Sequence, residues 1–210
     1  MSPITKLSDL PPEAFSKHDP SSDTTFYAMP RMVAHIDEGA IAAVTALYAE
    51  HLAPGDHVLD LMSSRYSHLP PMAGLRVTGH GMNAAELEAN PALSDRLVQN
   101  LNEKPALPFG DATFDAALCC VSVQYLQDPA AVMREVRRTL KKGAPFIVTF
   151  SNRCFPTKAV ALWHALPDAH ARMSYVAMAM REAGFGAVEA RDVIPEGGPS
   201  DPLHAVIGQA

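Results

Sequence analysis

A chain of 210 residues is long enough for one domain with a sizeable core, and its 48% apolar content against 19% charged residues suits a globular fold. The formal charge of −6 argues against nucleic acid as a partner, since phosphate-backbone binding requires a basic face that releases counterions. Three cysteines, two of them adjacent at Cys119–Cys120, do not suit a disulfide framework, and no uninterrupted apolar run is long enough to span a bilayer.

Residues 1–30 are rich in Pro, Ser and Asp and show neither helical nor strand periodicity, so they read as an arm or lid ahead of a domain covering 31–210. Asp9, Glu13 and the pair Pro11–Pro12 do not resemble a signal peptide, which makes the cytoplasm the expected location. The arm ends in Phe26–Tyr27–Ala28–Met29–Pro30–Arg31, a mixture of rings and a cation suited to covering a pocket. From Met32, the positions Val33, Ile36, Ala40, Ile41, Val44, Leu47, Tyr48 and Leu52 follow helical spacing, with a break expected near Asp37 and Gly39.

Val58–Leu61 is an apolar run containing an acid and reads as the first buried strand, leading through Ser63, Ser64 and Ser67 toward an expected helix start. Leu75–Gly79 is the second strand, and Asn83 with Glu86 three residues later predicts a capped short helix ending by Asn90–Pro91. Arg96–Leu101 is a third strand and Phe114–Val123 a central one buried on both faces. Asp128–Pro129 caps and opens a helix that Gly143 ends, whose basic residues between Arg134 and Lys142 form a solvated face. Pro145–Phe150 is the next strand, followed by helical stretches at Lys158–Leu166 and Asp168–Ala183. Ala187–Val193 and Leu203–Gly208 then read as an antiparallel hairpin.

Alternating strands and helices predict an α/β class: a doubly wound, mostly parallel, seven-stranded Rossmann-like sheet with a C-terminal antiparallel hairpin. Ligands of such sheets bind beyond the carboxyl ends of the strands. Residues from about 56 to 150 resemble the type-11 group of class I S-adenosylmethionine-dependent methyltransferases. The resemblance is carried by Leu107–Asp115 (LPFGDATFD), Ser122–Pro129 (SVQYLQDP) and Val136–Gly143 (VRRTLKKG), in that order after a strand holding Asp60. In that family an acid is followed by alternate glycines, and here those places hold Met62, Ser64 and Tyr66.

The resemblance implies S-adenosylmethionine as cofactor and a small-molecule acceptor as partner, with neither nucleic acid nor membrane. Asp60, Met62, Ser63 and Ser64 would form the cofactor loop, where hydroxyls and the N–H groups of a helix start stand in for the glycines. Gly81 takes the place of the family's ribose-binding acid, with Asn83 as the substitute acceptor and Met82 as an apolar wall. Asn100 and Leu101 take the adenine-contacting place, and Cys120 and Val121 the end of the fourth strand.

A methyl acceptor bearing an O–H needs a base, for which His35 is the first candidate, with Tyr27 and Arg31 at the substrate or methionine end. Gln124, Tyr125, Asn152, Arg153 and His164 belong to the same expected mouth, and Cys120 and Cys154 to one rim. The alternative reading is a non-catalytic module of the same fold that serves as a binding or regulatory partner. A nicotinamide enzyme is disfavoured because its glycine fingerprint is absent too, and a hydrolase because there is no nucleophile elbow.

Overall fold

The computed structural model describes residues 6–210. Seven strands form one sheet: β1 His57–Asp60, β2 Arg76–Gly81, β3 Asp95–Val98, β4 Ala116–Cys120, β5 Pro145–Phe150, β6 Val188–Ile194 and β7 Leu203–Gln209. Their spatial order is β3-β2-β1-β4-β5-β7-β6, in which β1 to β5 run parallel and β7 is inserted antiparallel between β5 and β6. The helices are α1 Asp23–Phe26, α2 Glu38–His51, α3 Ala84–Glu88, α4 Pro129–Thr139, α5 Ala161–Ala165 and α6 Ala169–Glu182. Among the described residues, no helix is long and apolar enough to cross a membrane.

The two-residue period of the central strands divides the core between the two faces of the sheet. Ala117 and Cys119 of β4, with Phe146, Val148 and Phe150 of β5, pack with Met133 and Val136 of α4 and Val176 and Met180 of α6. Ala116, Leu118 and Ile147 turn the other way, onto Val44, Leu47 and Tyr48 of α2. Each such fully buried aliphatic side chain contributes about 1.5–3 kcal/mol of transfer free energy. The Asp128 carboxylate caps α4 by accepting from Ala131 N at 2.9 Å, and Pro129 occupies the first helical position.

Several elements are shorter than the sequence predicts, β3 ending at Val98 rather than Leu101, β4 at Cys120 rather than Val123, and α5 starting at Ala161 rather than Lys158, and two stretches differ in kind. The helix expected from Met32 begins at Glu38, because Asp37 accepts from Ala40 N at 2.8 Å and from Asp201 N at 2.7 Å. Val33 is consequently outside the helix and 54% exposed. No helix follows β1: residues 61–75 run as irregular chain to β2. Pro70–Pro71 and Gly74, which has φ +73°, oppose helical continuation there, and the passage is fixed by side chains instead. Thr45 Oγ1 donates to the His68 carbonyl at 2.9 Å, and the Asn90 amide donates to Ser64 O and Ser67 Oγ at 2.9 Å each.

The arm preceding α2 is bound along the domain. Asp19 N donates to Thr157 O and Ala161 N to Ser16 O. Lys158, with no exposed side-chain surface, donates to Ser21 O at 2.6 Å and ion-pairs with Asp19 and Asp23, while Lys17 meets Asp23 at 2.5 Å. This cluster draws residues 17–36 over the carboxyl ends of the strands.

Candidate active site

A cavity of about 290 Å³ opens where β1 and β4 end, the place at which doubly wound sheets bind ligands. Asp60 closes β1 at its floor, only 3% exposed. Burial raises the Asp60 pKa to about 6, against which hydrogen bonds from the Ser63 and Ser67 hydroxyls act, the former at 2.6 Å. No lysine or arginine forms an ion pair with Asp60 among the described residues. A buried carboxylate in that state is a ready partner for an incoming cation.

The chain after Asp60 turns sharply through Met62, whose φ of +56° is the left-handed conformation that favours glycine. Ser63 N then donates to the His80 carbonyl at 2.6 Å, and Met62 N donates to His80 Nδ1 at 3.3 Å. The loop thereby lies against the end of β2. A Cβ at Gly81 would stand 2.5 Å from Ser63 O, so the loop fills the space that an acid at that position would need. The carboxylate that does reach the cavity beside this loop comes from Glu86 in α3. It accepts from Ser64 Oγ at 2.5 Å and from Arg31 N at 2.6 Å. Glu86 therefore does not close a capping box on Asn83, whose own side chain caps Ala85 N and Glu86 N.

The opposite wall is aromatic. Tyr27, Tyr125, Phe155 and His35 line the cavity. Tyr125 and Phe155 lie 6.0 Å apart with ring planes 28° from parallel. The Arg31 guanidinium sits 4.5 Å from the Phe26 ring and 5.1 Å from Phe155. His35, at φ +67°, is held against Phe155 at 5.7 Å, and burial is the main cause keeping its pKa below the usual imidazole range. Burial also raises the Tyr27 hydroxyl far above its ordinary value and Tyr125 to about 12, so both phenols are protonated at neutral pH.

Of the residues singled out in the sequence, Tyr27, Arg31, His35, Asp60, Met62, Ser63, Ser64, Met82, Asn83, Cys120 and Val121 line this one cavity, with Tyr125, Arg153 and Cys154. Gly81, Asn100 and Leu101 are not among its lining residues. Asn100 instead donates to Glu103 at 2.9 Å and accepts from Asn102 N, and Leu101 is buried in the main core. Asn83 spends both amide hydrogens on the carbonyls of Tyr27 and Ala28, which fasten the arm. Gln124 is buried and donates to Val121 O, and His164 pairs with the Pro156 carbonyl; neither lines the cavity, nor does Asn152. Tyr66, 45% exposed, stays at the rim stacked on His68. Glu86 and Phe155 were not legible as site residues. The first carries a capping signal, and the second lies in a loop whose place depends on the whole sheet.

The sheet order, with its inserted antiparallel strand, and a cavity at the ends of β1 and β4 define the class I methyltransferase fold. Residues 59–148 match the family model described as methyltransferase domain, and within that match the loop after β1 holds Met62, Ser64 and Tyr66 and no glycine.

The chain is similar to the sterol 4-C-methyltransferase strm-1 of Caenorhabditis elegans, at 36% identity over 81 residues, covering 36% of this chain and 24% of that protein. It is 26% identical over 190 residues to the O-methyltransferase resE of Aspergillus sclerotiorum, covering 83% of this chain and 68% of that one. A chain of the Haloferax volcanii complex of a methyltransferase with the Trm112 methyltransferase activator superposes with a TM-score of 0.62 at 16% identity, over 82% of this chain and 91% of that chain. Phosphoethanolamine N-methyltransferase 2 of Haemonchus contortus, solved with S-adenosyl-L-methionine, gives 0.57 at 12% identity, over 82% and 52%.

Proposed function

We propose that this protein is an S-adenosylmethionine-dependent methyltransferase acting on a small-molecule acceptor. The observation that carries the reading is Asp60: a carboxylate almost wholly buried at the end of β1, facing the cavity without a cationic partner among the described residues. The cofactor's α-ammonium is a group of the required charge. When bound, S-adenosylmethionine supplies a methyl group on a cationic sulfur.

The chain's own residues divide the work by chemistry. Asp60 receives the ammonium, and the remaining lone pairs of Glu86 suit the ribose hydroxyls in place of an acid at the end of β2. Ser63 and Ser64 line the polar side, and Met62, Met82, Cys120 and Val121 the apolar one. On the acceptor side, His35 is neutral at pH 7, and its ring has no hydrogen-bonding partner among the described residues, so it is free to take a proton from a nucleophile. Tyr27 and Arg31 position the acceptor, and alignment of nucleophile and methyl donor is the main catalytic requirement of such a displacement.

Isothermal titration with S-adenosylhomocysteine tests the reading. At pH 5.5–6 the wild-type protein is expected to bind it with release of a proton from Asp60, seen as a dependence of the heat on the buffer's ionisation enthalpy. D60N is expected to bind about tenfold more weakly or worse, the loss typical of a hydrogen bond to a charged group. A wild-type protein that binds neither S-adenosylhomocysteine nor S-adenosylmethionine would be a module of this fold with another use.

A further inference from the structure

We infer that the outer half of the cavity takes a flat aromatic acid, a hydroxylated ring bearing a carboxylate, with the anion on Arg31 and the ring against Tyr27, Tyr125 and Phe155; this rests on the methyltransferase reading of the same cavity. The rings are set before any ligand arrives. Tyr125 and Phe155 form a nearly parallel pair, Tyr27 meets Phe155 edge-on at 6.2 Å, and the Tyr125 hydroxyl accepts from Phe155 N at 2.8 Å. Such a wall favours a planar ring over a saturated one of the same size, because offset and edge-on ring contacts add to simple burial.

Arg31 decides the charge. Its guanidinium lies over three rings, Phe26, Tyr27 and Phe155, and donates only to the Met29 and Phe26 carbonyls, at 3.3 and 3.1 Å. No carboxylate pairs with that guanidinium among the described residues: Glu86, on the same cavity, takes the backbone N–H of Arg31 instead. Arg153, the other arginine of the lining, is already paired with Asp201 at 2.8 Å. A half-buried guanidinium with N–H donors to spare binds a carboxylate in a planar fork. The same charge repels an amine and already occupies the ring faces that would otherwise attract a cation. His35, beside Phe155, then faces the ring's hydroxyl as proton acceptor.

The test uses the full chain saturated with S-adenosylhomocysteine and three probes: 3,4-dihydroxybenzoate, 3,4-dihydroxybenzylamine and cyclohexanecarboxylate. Wild-type protein is expected to bind the first about tenfold or more tightly than either of the others in calorimetric titration. R31Q is expected to lose the preference for acid over amine while its affinity for S-adenosylhomocysteine stays unchanged. F155L, an independent variant should R31Q fail to fold, is expected to lose the preference for the aromatic over the cyclohexane acid. Equal or tighter binding of the amine, no binding of any probe to a protein that does bind S-adenosylhomocysteine, or an R31Q protein that keeps the preference would overturn the inference. Absence of S-adenosylhomocysteine binding to wild type would instead remove the methyltransferase reading, and this inference with it.

Discussion

Met62 holds the turn after β1 in a left-handed conformation that costs a residue with a Cβ roughly 1 kcal/mol or more, so the backbone path that suits a glycine has been kept without one. The neighbouring Gly81 shows why the site cannot simply regain an acid at the end of β2. In G81D the new Cβ would meet Ser63 O, a backbone atom itself pinned by the bond from Ser63 N to the His80 carbonyl. G81D is therefore expected to lose about 1–3 kcal/mol in urea denaturation, the usual cost of overpacking, without binding S-adenosylhomocysteine more tightly. An unchanged unfolding midpoint would mean that the loop yields. Single residues were the least legible scale in the sequence. Asn83 and Glu86 announce a helix start, and only the folded chain shows that one fastens the arm while the other faces the cavity.

Among elements, those whose signals are local are legible in the sequence. Pro145–Phe150 is the strand predicted, and Asp128–Pro129 opens α4 as its cap chemistry requires. Serines after β1 resemble caps and predict a helix start, but Pro70–Pro71 and the side-chain bonds from Thr45 and Asn90 leave the passage irregular. The arm, aperiodic in sequence and expected as a lid, is fastened at residues 17–23, where buried Lys158 gathers Asp19, Ser21 and Asp23. K158M removes one of the two cations of the cluster, so that Asp19 and Ser21 lose the ammonium that ties them to the domain and Asp23 keeps only Lys17 as a cation. Hydrogen exchange in K158M is expected to rise over residues 16–36 ahead of the sheet. Affinity for S-adenosylhomocysteine is expected to fall with it, since the Arg31 backbone N–H, carried on that element, holds the Glu86 carboxylate. Protection of 16–36 equal to wild type would count against the cluster as the fastening.

For the molecule as a whole, two buried groups near the cavity floor oppose each other across the acidic range. Asp60 has its pKa raised from 3.8 to about 6, so its relative stabilisation is complete below pH 3.8 and is lost as pH rises through 6. His80 is shifted by burial from 6.5 to about 4, so its contribution is complete above pH 6.5 and is lost as pH falls toward 4. Each swing amounts to about 3 kcal/mol, and the two nearly cancel. Wild-type stability from these groups is expected to change little between pH 7 and 4, whereas D60N, relieved of the opposing term, should lose about 3 kcal/mol over that interval in urea titrations. A D60N profile as flat as wild type would contradict the shift at His80. The overall architecture was the most legible scale, because alternation of strand and helix signals depends on many residues at once. The place of β7 also bears on biosynthesis. Since residues 203–209 insert between β5 and β6, the outer edge of β5 keeps its backbone donors and acceptors unpaired during synthesis until those residues have been made, and an open edge of that kind is a template for pairing with a neighbouring chain.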